Sequence, residues 1–292
     1  MKSILITGKN SYIGTSFETY MKQFGNEYKI DTIDMIDGSW REKDFSGYDA
    51  LFHVAGIAHS DTAKVSDERK ALYYKINTEL TFETAKKAKL CNVKQFIFMS
   101  SAIIYGDSAP IGKQKVISAD TIPQPANFYG DSKLQAENQI LPLQDKDFNI
   151  VILRPPMIYG KGSKGNYPTL VKLSLKLPVF PNIENQRSML YVENLAEFVR
   201  LMIENNEKGI FYPQNSEYSK TSDMVKAIAE VHGKKVRFTG ILNPFVKFAG
   251  CFTGLVDKAF GNLVYDQKMS EYKAEYRIFD LQKSIVRTET QI

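Results

Sequence analysis

The sequence predicts an α/β fold, in which a doubly wound parallel sheet with helices on both faces is followed by a smaller, mixed C-terminal domain. Short apolar runs alternate with helical patterns through the first half of the chain. A glycine-bearing turn joins the first apolar run to the first helical pattern. After Arg154-Pro155-Pro156 the pattern changes, and glycines and prolines become frequent. Strands that alternate with helices indicate βαβ units, and therefore parallel strands.

Each predicted element follows from hydrophobic periodicity. The apolar runs predict strands at 4–6, 29–34, 50–55, 96–99 and 150–153. Spacings of three and four predict helices near 13–24, 76–88, 129–141, 193–203 and 222–231. We assign residues 1–160 and about 187–214 to the domain of the parallel sheet, and about 161–186 and 215–292 to the smaller mixed domain.

Composition excludes several classes of protein. The 292 residues carry a net charge of +5, and the lysine clusters are typical of solvated surfaces rather than of a nucleic-acid interface. The separation of Cys91 from Cys251 predicts neither a zinc site nor a disulfide. The apolar N-terminal run is too short for a signal peptide, and Pro244 and Lys247 interrupt the apolar stretch 241–256. We therefore expect a cytoplasmic protein without a membrane span, and a buried or interface helix at 241–256.

The first turn predicts a phosphate site. It runs Thr7-Gly8-Lys9-Asn10-Ser11-Tyr12-Ile13-Gly14 and lies where a strand meets a helix. The backbone amides at such a helix N-terminus can hold a pyrophosphate, as in Rossmann dinucleotide-binding domains. Gly8 allows the tight turn and Gly14 allows helix and strand to pack closely. Ser11 stands at the usual middle glycine, which is a departure from the pattern; serine is small, and its hydroxyl could face the ligand.

Asp34 strengthens this prediction. It ends the second strand, where an acid can accept hydrogen bonds from the hydroxyls of the adenosine ribose. A carboxylate there would repel a 2′-phosphate, which favours NAD. NADP stays an alternative because of Ser11, and the nearby Asp37 could share the role of Asp34.

A tyrosine and a lysine form the candidate catalytic pair. Tyr129 and Lys133 are four residues apart, which places them on one face of a predicted helix. A free phenol with a pKa near ~10 is a poor base at neutral pH, but a neighbouring ammonium and a positive nicotinamide ring would lower that pKa. Tyr129 could then take a proton from an alcohol as hydride leaves, or return one to a carbonyl on reduction. Such spacing also occurs by chance on many helices.

The chain as a whole resembles the extended short-chain dehydrogenases/reductases, which act on nucleotide sugars. The similarity extends over nearly the whole length and has segments in the same order. They are the Gly8–Gly14 turn, Asp34, His53-Val54-Ala55-Gly56, Asn77, Ser100-Ser101-Ala102 with Tyr105-Gly106, Tyr129 with Lys133, Arg154-Pro155 with Tyr159-Gly160, and Arg187 with Tyr191-Val192.

The resemblance implies a role for each matched residue. Ser101 and Tyr129 would bond the reacting sugar oxygen, with Lys133 as the partner of Tyr129. Cofactor contacts are implied for Gly8, Asn10, Ser11, Tyr12, Ile13, Gly14, Asp34, Asp44, Phe45, Val54, Ala55, Gly56, Asn77, Ser100, Tyr129, Lys133 and Pro155. Here Asp44 and Phe45 would meet the adenine ring. Substrate contacts are implied for Ser101, Tyr105, Asn166, Phe180 and Arg187, of which Asn166 and Arg187 would hold the diphosphate and Phe180 the uridine.

Other residues near these segments have structural interpretations. His53 belongs to a strand-end segment, where a structural hydrogen bond is favoured over catalysis. His59 follows in a loop, and nothing in its pattern demands a catalytic role. No metal site is predicted.

The residues that follow Ser101 limit the reactions that the enzyme could catalyse. Members of the family that remove water from the sugar have an Asp-Glu pair after the serine or threonine, and Ala102 and Ile103 stand there instead. Two reactions remain, a 4-keto reduction and a 4-epimerisation of a UDP-linked sugar. Overall similarity to capsule and O-antigen enzymes favours reduction of a UDP-2-acetamido-2,6-dideoxy-4-hexulose. A homodimer is also implied, and a catalytically inactive dinucleotide-sensing protein is the alternative of another class.

Overall fold

The strands of the chain follow the predicted apolar runs closely. A computed structural model describes residues 1–58, 65–250 and 254–290, so His59 and Cys251 lie outside the described residues. The strands are β1 (Lys2–Thr7), β2 (Tyr28–Ile33), β3 (Ala50–His53), β4 (Gln95–Met99), β5 (Val116–Ile117), β6 (Asn149–Leu153), β7 (Met157–Tyr159), β8 (Val179–Pro181), β9 (Met189–Tyr191), β10 (Gly209–Phe211), β11 (Arg237–Thr239) and β12 (Val264–Tyr265).

The helices include several that periodicity did not predict. They are α1 (Tyr12–Met21), α2 (Asp67–Tyr74), α3 (Leu80–Leu90), α4 (Phe128–Ile140), α5 (Tyr167–Lys176), α6 (Val192–Glu204), α7 (Thr221–Val231), α8 (Asn243–Gly250), α9 (Gly254–Phe260) and α10 (Leu281–Thr290). The helix predicted near 76–88 corresponds to α3, whereas α2, which the Ser66 hydroxyl caps, was not predicted. Within the described ranges, no helix combines the length and the apolar character that crossing a membrane requires.

The central sheet confirms the predicted fold class. Its strands lie in the order β10-β6-β4-β3-β1-β2, and every neighbouring pair is parallel. The chain order reverses between β1 and β3, which makes that pair the topological switch point, where open α/β sheets bind ligands. Register places Thr7 beside His53, so the two strands end side by side.

A continuous apolar core supports this sheet. Side chains of the strands and of α3 and α4 share one buried cluster, because these helices turn small residues toward the sheet. The cluster includes Leu5, Leu51, Ala85, Ala88, Phe96, Phe98, Ala136, Ile150 and Ile152. Small alanines on the helices and bulky residues on the strands allow close helix-to-sheet packing, which fixes α4.

The chain divides into two compact units. The first comprises Met1–Gly106, Ile122–Pro155 and Leu195–Pro213, and the second comprises Asp107–Thr121, Pro156–Asn194 and Gln214–Ile292. Compared with the predicted bounds, the second unit also holds 107–121, 156–160 and 187–194. These segments belong there because β5 pairs with β12 and β7 pairs with β9. A third short parallel pair, β8 with β11, completes the sheet structure described in this unit.

Candidate active site

The ends of β1 and β3 approach each other closely in the first unit. Gly8 has a φ of +86°, a conformation that other residues adopt only with strain. A Cβ on Gly8 would lie 3.0 Å from the backbone N and Cα of Ala55. Only glycine therefore fits at position 8, beside the switch point. The turn after β1 stays tight, and α1 begins directly after it.

The N-terminus of α1 fits an anionic group. Ser11 caps the helix, and its Oγ accepts a hydrogen bond from the Gly14 N–H at 3.2 Å. The Ser11 hydroxyl is thus an N-cap whose oxygen is used as an acceptor, and a contact with a ligand through its proton stays a prediction. Asn10 has a φ of 63°, in the left-handed region that asparagine tolerates best after glycine. The positive end of the α1 dipole therefore points toward the switch point, and the side chain at position 11 is small.

Asp34 lies next to this turn. The N–H groups of Gly8 and Lys9 donate to the Ile33 carbonyl at 3.0 and 3.2 Å, which ties the turn to the end of β2. The Asp34 Oδ1 accepts from the Ile36 N–H at 2.9 Å, so the half-buried carboxylate has a fixed orientation. An acid held beside a phosphate turn fits a dinucleotide, and the ribose contact of Asp34 stays a prediction.

The adenine contact predicted for Phe45 needs correction. Phe45 has no exposed surface and lies in the apolar core, with the Lys87 Nζ 5.0 Å from its ring centroid. Its ring cannot meet a base, so only its backbone is available for that role. Asp44 is exposed, and its two carboxylate oxygens accept from the N–H and the hydroxyl of Ser46 at 2.8 and 2.6 Å. The Phe45 ring lies in the core because burying an apolar ring there is more favourable than leaving it exposed to meet a base.

The candidate catalytic residues converge where α4 begins. The Asn127 side chain caps the helix through the Gly130 N–H at 3.0 Å. A Cβ on Gly130 would lie 2.8 Å from the Ile103 carbonyl oxygen, so glycine allows α4 to touch the turn that follows Ser101. The side chain of Ser101 is consequently near enough to the Tyr129 phenol to lower its pKa.

Lys133 lies one turn further along α4 and is buried. Its Nζ donates to the Met99 carbonyl at 2.8 Å and lies 4.7 Å from the centroid of the Phe98 ring. Burial lowers the pKa of Lys133 to about 8, against the opposing charge of Glu137. A carbonyl and an aromatic face compensate the ammonium only in part, which leaves it able to bind a further acceptor.

Burial shifts the pKa of Tyr129 in the direction opposite to that of Lys133. It raises the pKa of Tyr129 to about 12, while the hydrogen bond with Ser101 lowers it. The pKa of Tyr129 therefore lies above its ordinary value and not below it, as the spacing with Lys133 predicted, because desolvation of the phenolate dominates. The charge of a nicotinamide ring would act in the lowering direction.

Asn77 and Ser132 hold the backbone beside this pair. Asn77 lies in a π-helical turn (Lys75–Glu79) between α2 and α3. Its Oδ1 accepts from the Ile57 N–H at 2.8 Å, and its Nδ2 donates to the Ile57 carbonyl and the Ser132 hydroxyl, both at 3.1 Å. Asn77 therefore fixes the segment after β3, and a cofactor contact would be additional to these bonds.

His53 has the structural role that was favoured for it. Its ring nitrogens bond the hydroxyls of Thr7 and Thr81 at 2.9 and 3.0 Å. Burial lowers the pKa of His53 to about 3, which keeps the imidazole neutral. The interpretation of His53 as a structural residue is confirmed.

A buried polar network beneath Ser101 escaped the sequence analysis. Glu137 accepts from the Ser100 hydroxyl and forms a two-pronged ion pair with Arg154, whose Nη2 lies 2.5 Å from Oε2 and whose Nε lies 3.1 Å from it. The Arg154 Nη1 also donates to the hydroxyls of Tyr105 and Tyr212, at 2.7 and 3.2 Å. The spacing Tyr129, Lys133, Glu137 on one helix face was the signal that could have identified Glu137.

The same network bears on Tyr105. Tyr105 is 4% exposed, and burial raises its pKa. Its hydroxyl is already an acceptor for Arg154, so the substrate contact predicted for Tyr105 would be made by the little surface that is left. Pro155 accepts from the Ala102 N–H through its carbonyl at 2.9 Å, which ties the end of β6 to the turn after Ser101.

The remaining cofactor candidates line the ends of β1 and β3. Val54 is half-buried, Ala55 is 7% exposed and Gly56 is exposed. Tyr12 and Ile13, in the first turn of α1, are half-buried. Their contacts with a dinucleotide stay predictions.

The candidate substrate residues of the second unit occupy three kinds of place. Asn166 caps α5 by position, without a side-chain capping bond, and is half-buried. Arg187 is held by paired backbone bonds with Ser219 at 3.0 and 2.9 Å, and burial lowers its pKa. Phe180 is 2% exposed and packs against Phe238 and Phe260, with ring centroids 6.2 and 5.8 Å away. Its ring is a core side chain, so a uridine contact is left to its backbone or its small exposed edge.

The fold and this site define a class of protein: NAD(P)-dependent enzymes built on a Rossmann-type sheet, with a serine, a tyrosine and a lysine beside the dinucleotide turn. Residues 4–212 match the profile of the NAD dependent epimerase/dehydratase family, and the chain belongs to that family. The alternative of an inactive sensing protein is not favoured, because the three candidate catalytic side chains are present and Ser101 acts on the Tyr129 phenol.

Two relatives and one solved structure illustrate the similarity. A UDP-glucose 4-epimerase of Vibrio cholerae is 29% identical over 254 residues, which cover 78% of this chain and 75% of the relative. An N-acetyl-alpha-D-glucosaminyl-diphospho-ditrans,octacis-undecaprenol 4-epimerase of Escherichia coli O157:H7 is 26% identical, with 89% and 81% covered. The crystal structure of a dTDP-4-dehydrorhamnose reductase from Clostridium acetobutylicum superposes with a TM-score of 0.74 at 19% identity and covers 98% of both chains, which shows a shared fold.

Proposed function

We propose that this enzyme transfers hydride at C4 of a UDP-linked sugar, and that its net reaction is reduction of a 4-keto-2-acetamido-2,6-dideoxyhexose. The observation that carries the proposal is the convergence of Ser101 and Tyr129, where the Ser101 side chain lowers the pKa of the phenol, with Lys133 on the next turn of α4. A hydroxyl and a phenol on adjoining backbones form a two-donor site for one carbonyl oxygen.

The side chains divide the work as follows. Bound NAD(P)H would supply the hydride that adds to C4. The Ser101 hydroxyl donates a hydrogen bond to the 4-keto oxygen and so stabilises the negative charge that develops there. Tyr129 donates its phenolic proton to the same oxygen, and the product is a C4 hydroxyl. Lys133, held at the Met99 carbonyl, stabilises the phenolate that is left and would bond the nicotinamide ribose.

The residues that would bind the cofactor fit that task. The dipole of α1 and the tight Gly8 turn would hold the pyrophosphate, and Asp34 would accept from the adenosine ribose. A carboxylate at that place supports NAD over NADP. In the second unit, the planar guanidinium of Arg187 would donate two parallel hydrogen bonds to a diphosphate, and the side-chain amide of Asn166 would donate another.

A second function, 4-epimerisation, has a specific observation in its favour. Both relatives described above are 4-epimerases by name, one of a UDP-sugar and one of a sugar on undecaprenol diphosphate. An epimerase would use Ser101 and Tyr129 twice, first to remove a proton from the C4 hydroxyl and then to return it after the 4-keto sugar has turned. The same residues thus serve both reactions.

One experiment separates the two. The purified protein is incubated with UDP-N-acetylglucosamine, with and without a 4,6-dehydratase, while nicotinamide absorbance and sugar products are followed. A reductase consumes NADH or NADPH only when the dehydratase is present. An epimerase forms UDP-N-acetylgalactosamine without the dehydratase and without net change in the nicotinamide. If Tyr129→Phe left either turnover intact, the proposed chemistry would be wrong.

Two further properties belong to this proposal. We expect a homodimer, as the family resemblance implies, and a cytoplasmic site of action, where nucleotide sugars would be available. Sedimentation velocity on the full chain tests the first, and fractionation of the producing cell tests the second.

A further inference from the structure

The second unit exposes an apolar surface on and before α8. Ile241, Phe245 and Phe248 are 79%, 71% and 69% exposed. Phe245 and Phe248 are three residues apart and share one helix face, while Val246 on the other side is half-buried. Two exposed phenylalanines on a single short helix are unusual, because each loses the free energy that burial would bring. We call Ile241, Phe245 and Phe248 the α8 surface.

The chain around the α8 surface carries charge of one sign. From residue 231 to residue 256 the sequence contains Lys234, Lys235, Arg237 and Lys247 and no aspartate or glutamate. These four basic residues are exposed. The whole chain has a net charge of only +5, so nearly all of that excess corresponds to this one segment.

We propose that the α8 surface docks on an anionic lipid bilayer, where the phenylalanines enter the headgroup boundary and the basic residues meet lipid phosphates. Lys247 lies on α8 with the phenylalanines, and the other three basic residues precede the helix by six to nine residues in the chain. Exposed apolar side chains with basic residues, on a helix too short to span the bilayer, are the features of interfacial helices. A second copy of this chain is a poorer occupant, because its own α8 surface would bring four like charges against these four. The inference goes beyond the proposed function and does not rest on it.

Co-sedimentation with vesicles tests the proposal on the full chain. One set of vesicles contains phosphatidylcholine alone and the other contains equal parts of phosphatidylcholine and phosphatidylglycerol. We expect binding to the anionic set and weak binding to the neutral set. Phe245→Ser with Phe248→Ser should lower the partition coefficient about tenfold, which corresponds to about 1.4 kcal/mol. Lys234→Glu with Lys235→Glu should lower it about tenfold on anionic vesicles only.

Matched control variants lie in the first unit. Leu90 and Ile122 are 80% and 76% exposed, so Leu90→Ser with Ile122→Ser removes the same kind of surface. Lys146 and Lys208 are exposed, so Lys146→Glu with Lys208→Glu makes the same change in net charge. The proposal predicts that both controls bind anionic vesicles like the unaltered chain.

Several results would overturn the proposal. They are equal binding of the unaltered chain to both vesicle types, no binding to either, and undiminished binding by the α8 variants. A change of oligomeric state in Phe245→Ser with Phe248→Ser, seen by sedimentation velocity without lipid, would identify the surface as a contact between copies. Circular dichroism of each variant distinguishes loss of docking from loss of folding.

Discussion

The start of α4 and the second unit's candidate substrate residues are built in different ways. Tyr129 and Lys133 stand on one helix whose position is fixed by the close approach of Gly130 to Ile103. The candidate substrate residues lie on three separate elements. Asn166 is at the start of a helix, Phe180 is in a short strand and Arg187 is in an isolated β-bridge. Of these three, Phe180 is a core side chain.

This difference reflects what each region has to do. Proton transfer requires groups placed within hydrogen-bond distance, so they are held on packed elements. Binding of a large, polar ligand tolerates contacts spread over loops and short elements, where sequence can vary without loss of the chemistry. We therefore expect changes near α4 to act on kcat or stability, and changes in the second unit to act on KM.

The largest effect should come from Tyr129→Phe. The phenylalanine keeps the ring but removes the proton donor, so we expect kcat to fall about 10²- to 10⁴-fold. Cofactor binding, measured by isothermal titration with NAD, should stay within about twofold, because the turn before α1, Asp34 and Lys133, which would hold the cofactor, are unchanged. Tyr74→Phe is the control, since its hydroxyl bonds Asp131 at 2.8 Å and has no proposed part in the chemistry.

The next effect should come from Glu137→Gln, which leaves the buried Arg154 guanidinium without its counter-charge. We expect the free energy of unfolding in urea to fall by about 3 to 5 kcal/mol, as for other buried pairs that lose one partner. Glu83→Gln is the matched control. It breaks the Arg41–Glu83 pair, in which both side chains are about half exposed, and should cost about 1 kcal/mol or less. Equal losses in the two variants would contradict the role given to burial.

Lys133 should make stability depend on pH. Its pKa in the fold is about 8, below the value of 10.5 for an unburied lysine. Charging Lys133 is therefore unfavourable in the folded state, and stability should rise as the pH increases above 8. Compared with Lys133→Met, the unaltered chain should gain roughly 2 kcal/mol of unfolding free energy between neutral pH and pH ~10. A constant difference across that window would show that Lys133 has an ordinary pKa.

A smaller effect is expected for Arg187→Lys. The lysine keeps the charge but loses the two-pronged geometry that suits a diphosphate. We expect KM for the UDP-sugar to rise about tenfold with kcat almost unchanged, because the contact is made equally in the ground state and the transition state. Steady-state kinetics with the active substrate provide the measurement. A fall in kcat alone would show that Arg187 takes part in the chemical step. It would contradict the expected difference between the residues near α4 and those of the second unit.

The smallest effect is expected for Phe180→Leu. The leucine keeps most of the apolar volume and loses the ring contacts with Phe238 and Phe260, so unfolding should become easier by about 1 kcal/mol. KM for the UDP-sugar should change less than about twofold. A large rise in KM with normal stability would restore Phe180 as a base-binding side chain.

Much of the fold could be predicted because it depends on local patterns. The apolar runs at β1, β3, β4 and β6 are short and clear, and the sheet they predict is observed. The π-helical turn and the start of α2 at Asp67 were missed, because the segment 67–75 is too polar to show an apolar face. The burial of the Phe45 ring was missed for a different reason, because the motif indicates a ligand contact and only packing shows that the ring lies in the core.

By itself, the sequence determined the order of strands and helices, the glycine turn and the spacing of Tyr129 and Lys133, because these depend on neighbours within a few residues along the chain. Only the tertiary structure decided the switch point between β1 and β3, the burial that sets the pKa values of Tyr129 and Lys133, and the joining of Ser100, Glu137, Arg154 and Tyr105 in one network. Desolvation and long-range hydrogen bonds arise from side chains that are distant in sequence, and they exist only once the chain has folded.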